Sequence, residues 1–599
     1  MARGLTRDQI GVTEQMVQTF GDAVFDLSHN HQIRVGDPIR ELDFDEVERQ
    51  RASLGLSDAE IAARIGLTRN QVLYIRTIME RRRFRTGHYQ RLLDLGGGKR
   101  FRNERFTRHE ERFTFSDTAL ELRAAMRFDP SLVKKYISEG WWHDDTLAKW
   151  LAQRAAGTSD RPAIRIADRT IAYGELAETV SRFMAGLHRI GIRKDDVDAV
   201  QLPNVAEFLI SFLAITGIGG VMSTLHMPYR AAEIEPLLAH CSARAIICPT
   251  AIGDFAVGDL MVDLRDKLPH LDHVITLGDP PNGALAFNDL AASDTESEHQ
   301  LPVASDPFLL LYTSGTTAAP KGVPLSYHNM LGNARVGVPE HQLGPDDTVL
   351  SAAPFSHLFG LCSFHLALCA GACSLLLPAF SPPGLVETIN RGRPTALFTA
   401  PAHIAACFGG GLFDTTDLLS LKLAVVSGSA LPATLARDFD ARLPNGRVSQ
   451  LWGMTETQAG LYTRPDDPLD VAASSAGRPS PGTEVRTVDE EGLPQAFGNE
   501  EEGELQVRGA LLFPGYLNNP EANRAAFAEG GWFCTGDLAT IGEAGNVAIT
   551  GRLKDIINRG GVKYNPLDVE DLLGSHPKFF RPRSFRYQTR CSVNALAAS

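Results

Sequence analysis

Short apolar runs alternate with longer stretches of helical period along most of this chain. The runs Ala163–Ile166, Val197–Leu202 and Arg244–Cys248 are brief and β-branched, whereas Tyr173–Ile190 and Ala206–Ile218 carry apolar residues at helical spacing. That alternation predicts βαβ units around a largely parallel sheet, and so an α/β fold class. Glycine and proline punctuate strand-like runs through 480–550, which predicts a small β unit. The polar segment Gly278–Asp306 reads as a connecting loop, with Pro280-Pro281 and then Ser293-Asp294-Thr295-Glu296-Ser297-Glu298. The longest apolar stretch, Leu358 to Phe380, is long enough to cross a bilayer. Ser363, His365, Gly371 and Ser374 interrupt it and basic flanks are missing, so a buried helix followed by a strand is expected. No internal repeat is present. Asp8, Glu14, Asp22 and Asp26 break any apolar signal segment at the N-terminus.

Composition changes this picture only at one end. The 599-residue chain is 43% hydrophobic and 22% charged, as in ordinary globular proteins. Its net charge of −13 argues against a protein devoted wholly to nucleic acid or to anionic membrane. The eight cysteines form no CxxC pair; Cys362, Cys369 and Cys373 read as small buried hydrophobes in a reducing compartment, and a cytoplasmic location is expected. Residues 1–50 are acidic and helical in pattern, but 51–116 hold 15 Lys+Arg against 7 Asp+Glu. Within that basic segment Ser57-Asp58-Ala59-Glu60 and Thr68-Arg69-Asn70-Gln71 each read as a capping box opening a helix. Ala62, Gly66 and Val72 fall at helix-turn-helix spacing, and Ile61, Ile65, Leu67, Val72 and Ile75 supply an apolar face. Residues 1–116 are therefore expected to be a helical extension, with a unit at about 56–80 that resembles a bacterial helix-turn-helix. DNA contact through 51–116 is one reading, by Arg64, Arg69, Arg76 and Arg81–Arg83 meeting phosphates; a helical appendage with a solvated basic face is the other.

The chemistry is concentrated further on. Residues 309–322 run from an apolar strand into Thr313-Ser314-Gly315-Thr316-Thr317 and then Pro320-Lys321-Gly322. Such a loop offers backbone N–H groups, hydroxyls and one point charge to a polyphosphate. It is not a Walker A loop, because Lys321 is followed by glycine rather than by Ser or Thr. The segment resembles the phosphate loop of the adenylate-forming superfamily, which includes acyl- and aryl-CoA synthetases, peptide-synthetase adenylation domains and beetle luciferases; Ala318 stands where that pattern usually has glycine.

Further motifs follow in the family's order, over roughly 136–575. Pro354-Phe355-Ser356-His357-Leu358-Phe359-Gly360 looks like the aromatic/His segment beside the carboxylate pocket. Ser427-Gly428-Ser429-Ala430-Leu431-Pro432 looks like the strand-end turn that touches adenine. Trp452-Gly453-Met454-Thr455-Glu456-Thr457 resembles the aromatic-Gly-Met-Thr-Glu motif, with Trp452 in place of the usual Tyr. Trp532-Phe533-Cys534-Thr535-Gly536-Asp537 and Gly551-Arg552-Leu553-Lys554-Asp555 match two later motifs. The resemblance implies two α/β subdomains with a small β-barrel-like subdomain over 137–552, and a reduced C-terminal domain over 553–599. It implies nucleotide contacts from Thr313, Ser314, Gly315, Thr316, Thr317, Lys321, Gly428, Ser429, Ala430, Trp452, Gly453, Met454, Thr455, Asp537 and Arg552. It assigns catalysis to Lys321, His357, Glu456 and Lys554, Mg²⁺ to Thr313 and Glu456, an acyl pocket to His357, Phe359 and Gly428, and a coenzyme A path to Gly560 and Gly561. The implied reaction consumes ATP: a small carboxylic acid becomes an acyl-adenylate, and a thiolate then displaces AMP.

Two departures bear on that expectation. The family's adenylation lysine lies late in the C-terminal domain in a Gly-Lys context, and neither Lys563 nor Lys578 matches it. The segment from Phe579 to Arg586 fits no family element, so a truncated or frameshifted C-terminus is expected, in a chain that binds ATP but adenylates poorly. His357 stands near where aryl-AMP ligases usually carry Asn, which favours acyl-CoA synthesis. The alternatives are an aryl-acid enzyme loading a carrier protein and a DNA-binding regulator with a ligase-like sensor body.

Overall fold

The structure is a computed structural model and describes residue 122 and residues 130–294, 301–313, 320–498, 500–555, 557–559 and 562–564. The expectations for the extension 1–116, with its helix-turn-helix-like unit and DNA contact, and for the tail after 564 lie outside the described residues.

Two parallel-type sheets form the body. The first has seven strands in the order Leu285–Ala286, His273–Leu277, Ala245–Pro249, Val197–Val200, Val221–Thr224, Pro307–Thr313, Lys321–Ser326. All its pairs are parallel except the last, where Lys321–Ser326 returns antiparallel along Pro307–Thr313. The second has nine strands in the order Arg478–Pro479, Leu461–Tyr462, Arg447–Trp452, Leu423–Val426, Ala396–Thr399, Thr348–Ser351, Cys373–Leu376, Pro162–Ile166, Arg169–Ala172. Its middle is parallel and its outer pairs antiparallel. Val197–Val200, Val221–Thr224, Ala396–Thr399 and Leu423–Val426 are buried at every position, which is why they read as unbroken apolar runs: helices cover both faces of a parallel sheet.

One apolar core runs through both sheets. The helix Ala206–Gly217, buried at every position except Glu207, brings Phe208 against Phe355 and Phe212 against Phe308 and Phe364. The stretch expected to be a buried helix plus strand is the helix Leu358–Ala370 and the strand Cys373–Leu376. Among the described residues no helix is long and apolar enough to cross a membrane. Cys362 and Cys373 are buried as expected, while Cys369 is only half-buried. The expected loop Gly278–Asp306 is partly ordered into elements. Leu285–Ala286 adds a parallel edge strand, and the helix Phe287–Ala291 buries Phe287 and Leu290, with Phe287 stacked on Phe183 at 4.3 Å. Its polar residues conceal two anchors, too few for a periodic signal.

A third, antiparallel sheet accounts for the predicted β unit. Thr483–Val488, Gly503–Gly509 and Trp532–Ile541 pair in that order, and both Phe527–Ala528 and Val547–Arg552 pair with Trp532–Ile541. Asn204 ties the two large sheets together. Its side chain donates to the Ala353 carbonyl at 2.9 Å and accepts from the Phe355 N–H at 2.7 Å.

Candidate nucleotide and acid site

In parallel sheets the loops that leave the carboxyl ends of the strands collect ligands, because neighbouring strands deliver them side by side. Here the turn Pro354–His357 follows Thr348–Ser351, Ser427–Ala430 follows Leu423–Val426, and Gly453–Glu456 follows Arg447–Trp452. The other sheet delivers His226 just after Val221–Thr224, and Thr313 at the end of its own strand. The sequence motifs and the topology thus select the same edge of the molecule. Ser314, Gly315, Thr316 and Thr317 lie outside the described residues, as do Gly560 and Gly561.

Trp452, Asp537 and Arg552 form one cluster. Asp537 and Arg552 face each other across the antiparallel pair Trp532–Ile541 and Val547–Arg552. The Trp452 indole N–H donates to Asp537 Oδ2 at 2.8 Å and the Arg552 guanidinium donates to Oδ1 at 3.0 Å. Asp537 is only 2% exposed, and burial raises its pKa, opposed by Arg552 and by the Trp452 hydrogen bond. Arg552 is exposed while the Asp537 carboxylate is not, so the guanidinium forms the solvent side of the cluster. Gly453 sits where the chain doubles back: a Cβ there would lie 1.7 Å from the Gln458 carbonyl oxygen. Met454 and Thr457 close the turn, with the Thr457 hydroxyl accepting from the Met454 N–H at 3.1 Å. Gly428 is the opposite case, with φ +98° and nothing within 4 Å of a built Cβ. Its turn, exposed from Gly428 to Ala430, faces open volume.

Glu456 is 6% exposed and accepts a 2.8 Å hydrogen bond from the Tyr516 hydroxyl. Lys321, which opens its strand opposite Thr313, places its ammonium 5.1 Å from the centre of the Tyr516 ring. Burial raises the Glu456 pKa, opposed by the Tyr516 hydrogen bond, the backbone and Lys321. Tyr516 is a residue the sequence reading missed. It lies 60 positions from Glu456, and no spacing signals the pair. The Asn523 side chain fixes it, accepting from the Tyr516 N–H at 2.6 Å and donating to the Tyr516 carbonyl at 3.0 Å. No group of three or more His, Cys, Asp or Glu among the described residues could cage a metal. Mg²⁺ keeps waters and usually takes one or two protein carboxylates beside substrate phosphates. Glu456 and the Thr313 hydroxyl are chemically fit for that part.

The residues expected to border the acid centre on His357. Its ring stacks on His226 with centroids 4.1 Å apart and an interplanar angle of 27°. It caps the helix Leu358–Ala370 through its backbone alone, so the imidazole is left free of capping. Phe359 lies against Phe398 at 5.6 Å. His226, also missed by the sequence reading, is joined through Nδ1 to the Ser356 hydroxyl at 2.9 Å. Lys554 is exposed in the turn after Val547–Arg552.

Comparison with known proteins settles the family. A family model described as "AMP-binding enzyme" matches residues 151–517. The chain belongs to the AMP-binding enzyme family. This AMP-binding enzyme is 30% identical to the medium-chain fatty-acid–CoA ligase of Escherichia coli K12, over 76% of its own length and 81% of the relative's. It is 32% identical to the salicyl-AMP ligase / salicyl-S-ArCP synthetase of Mycobacterium tuberculosis, over 76% and 81%. Among solved structures it is similar to an anthranilate–CoA ligase holding anthranoyl-AMP (TM-score 0.67, 27% identity, 73% of this chain and 83% of that one). The apo structure of MbtA from Mycobacterium smegmatis matches with TM-score 0.67 and 32% identity, over 76% and 85%. The AMP-binding enzyme therefore has the adenylate-forming α/β fold that its motifs implied.

Proposed function

We propose that this AMP-binding enzyme activates a carboxylic acid with ATP and passes the acyl group to the thiol of coenzyme A. The observation that carries the reading is the convergence, at one strand-end edge, of a buried carboxylate–indole–guanidinium cluster and a carboxylate–tyrosine–lysine cluster. Asp537 keeps an unused lone pair on each oxygen beside its two donors and suits ribose hydroxyls, with Arg552 beside it. Trp452 and the open turn at Gly428–Ala430 offer a flat ring and an approachable backbone for adenine. Lys321 brings a point charge to the phosphates and Glu456 a carboxylate for the Mg²⁺ that accompanies them. Mg²⁺ would supply charge neutralisation of the polyphosphate. His357, Phe359 and Gly428 border the acid. The substrate carboxylate attacks the α-phosphorus, the bond to pyrophosphate breaks, and the thiolate later displaces AMP from the acyl carbon. The chain's task is orientation and charge stabilisation rather than covalent chemistry.

The named acids of the relatives are a fatty acid, an anthranilate and a salicylate. The 32% identity to the salicyl-AMP ligase supports a second reading, transfer to a carrier-protein thiol. The test measures ATP–pyrophosphate exchange over a panel of fatty, alicyclic and aryl acids, with calorimetric binding of acyl-sulfamoyl adenosines alongside. The expected outcome is slow acid-dependent exchange, tight binding of the matching analogue, and thioester formation with coenzyme A. Thioester formed only on a carrier protein would favour the second reading. No exchange above the acid-free rate and no analogue binding would end both.

A further inference from the structure

His226 holds a place that the proposed activity does not explain. It comes from the seven-stranded sheet, while the acid-side residues it touches come from the nine-stranded one. Three contacts join the two sheets at this point. The Thr224 hydroxyl donates to the Ser356 carbonyl at 2.8 Å, His226 Nδ1 meets the Ser356 hydroxyl at 2.9 Å, and the His226 ring lies face to face with His357 at 4.1 Å. His226 is itself braced. The Gln201 side-chain amide donates to its carbonyl at 2.9 Å, and Tyr229 packs edge-on against its ring at 4.9 Å and 72°.

We propose that His226 is a positioning residue for the acid: it fixes the ring plane of His357 from the opposite sheet, and so sets the grip on the acid while leaving nucleotide binding alone. This rests on the activity proposed above. An imidazole at a helix start turns freely about its terminal bond unless something covers a face, and His226 covers one. Burial holds His226 down to about 4, with the neighbouring His357 adding to the effect, and burial lowers His357 as well. Two neutral rings stack without charge repulsion. Among the described residues the pair shares no hydrogen bond with Trp452, Glu456, Asp537 or Arg552, so its effect separates by substrate.

The test uses the full chain and the variants His226→Ala, His226→Phe and Ser356→Ala. His226→Ala is expected to raise the KM for the acid roughly three- to tenfold, the range of one lost ring pair. The KM for ATP is expected to stay within about twofold. His226→Phe, which keeps a flat ring, is expected to restore most of the acid KM, and Ser356→Ala to fall between. A second readout needs no acid. In proton–carbon spectra of histidine-labelled protein, the His357 Cε1–H resonance, assigned with His357→Ala, is expected to move downfield in His226→Ala as the ring current is lost. Equal changes in both KM values, or a His357 resonance unmoved by His226→Ala, would overturn the proposal. If the wild-type chain uses no acid at all, the proposed activity fails, and the resonance still decides whether His226 sets the His357 ring.

Discussion

Asp537 receives hydrogen bonds from two donors on different elements, the Trp452 indole and the Arg552 guanidinium. Replacing it with alanine removes the proposed ribose acceptor and leaves the indole N–H without its partner. Hydrogen bonds to a charged group contribute about 1.5–3 kcal/mol each. Asp537→Ala is therefore expected to weaken binding of an acyl-sulfamoyl adenosine roughly 10- to 100-fold. Titration calorimetry checks this, and an unchanged affinity would remove Asp537 from the nucleotide site. A second buried carboxylate, Asp198, is 0% exposed, and neither oxygen makes a well-formed hydrogen bond. Desolvation raises its pKa well above the ordinary value, and Asp196 adds to this, while Arg244 and the Ala245 backbone offset part. The native state then holds a proton that the unfolded chain has released. The cost of burial is absent below the unfolded pKa of roughly 3.9 and grows as pH rises toward the native pKa. Asp198→Asn is expected to gain stability over the wild type as pH rises above about 4, read from urea unfolding at acidic and at neutral pH. A gain that shrinks with rising pH would contradict the burial argument.

The turns at the strand ends respond to substitution in different ways. Gly453 has no room for a side chain, because the Cβ would lie 1.7 Å from the Gln458 carbonyl oxygen. Gly453→Ala must shift backbone and is expected to cost about 3 kcal/mol or more, with nucleotide binding lost. Gly428 has room but adopts φ +98°. Gly428→Ala is expected to cost only about 1–2 kcal/mol of stability through strain. Its methyl would enter the open volume where the ligand is expected, so affinity should fall more than stability does. Thermal unfolding and analogue binding on both variants separate the two cases. The two glycines look alike in the motifs that contain them. Their difference depends on Gln458 folding back over one turn while nothing covers the other. The strands were easier to read: the run Ala163–Ile166 is the strand Pro162–Ile166, and Val197–Val200 ends two residues early. An apolar run marks a buried strand, but its last hydrogen bond depends on the neighbouring strand.

At the scale of the whole molecule the site exists only because two sheets present their carboxyl ends to each other. Asn204 is the buried link, satisfying the Phe355 N–H and the Ala353 carbonyl beneath the His357 turn. Asn204→Ala leaves the Phe355 N–H unpaired, while the Ala353 carbonyl keeps the Ser351 hydroxyl at 3.0 Å, and it is expected to destabilise the chain by roughly 1–3 kcal/mol. Urea unfolding measures this, and a loss under about 1 kcal/mol would mean that water replaces the side chain there. The amino-acid sequence by itself determined the α/β class, the buried helix and strand after His357, and the ordered motifs from Thr313 to Arg552. These are local matters: an apolar run, a glycine beside a hydroxyl cluster, or an acidic residue in a fixed phrase carries its meaning within a few positions. Only the tertiary structure decided the partners. Tyr516 meets Glu456 across 60 positions, Trp452 meets Asp537 across 85, and His226 meets Ser356 across 130. Which strands lie side by side follows from the summed packing of the whole core, and a short-range hydrogen bond forms only after that packing has brought its two ends together.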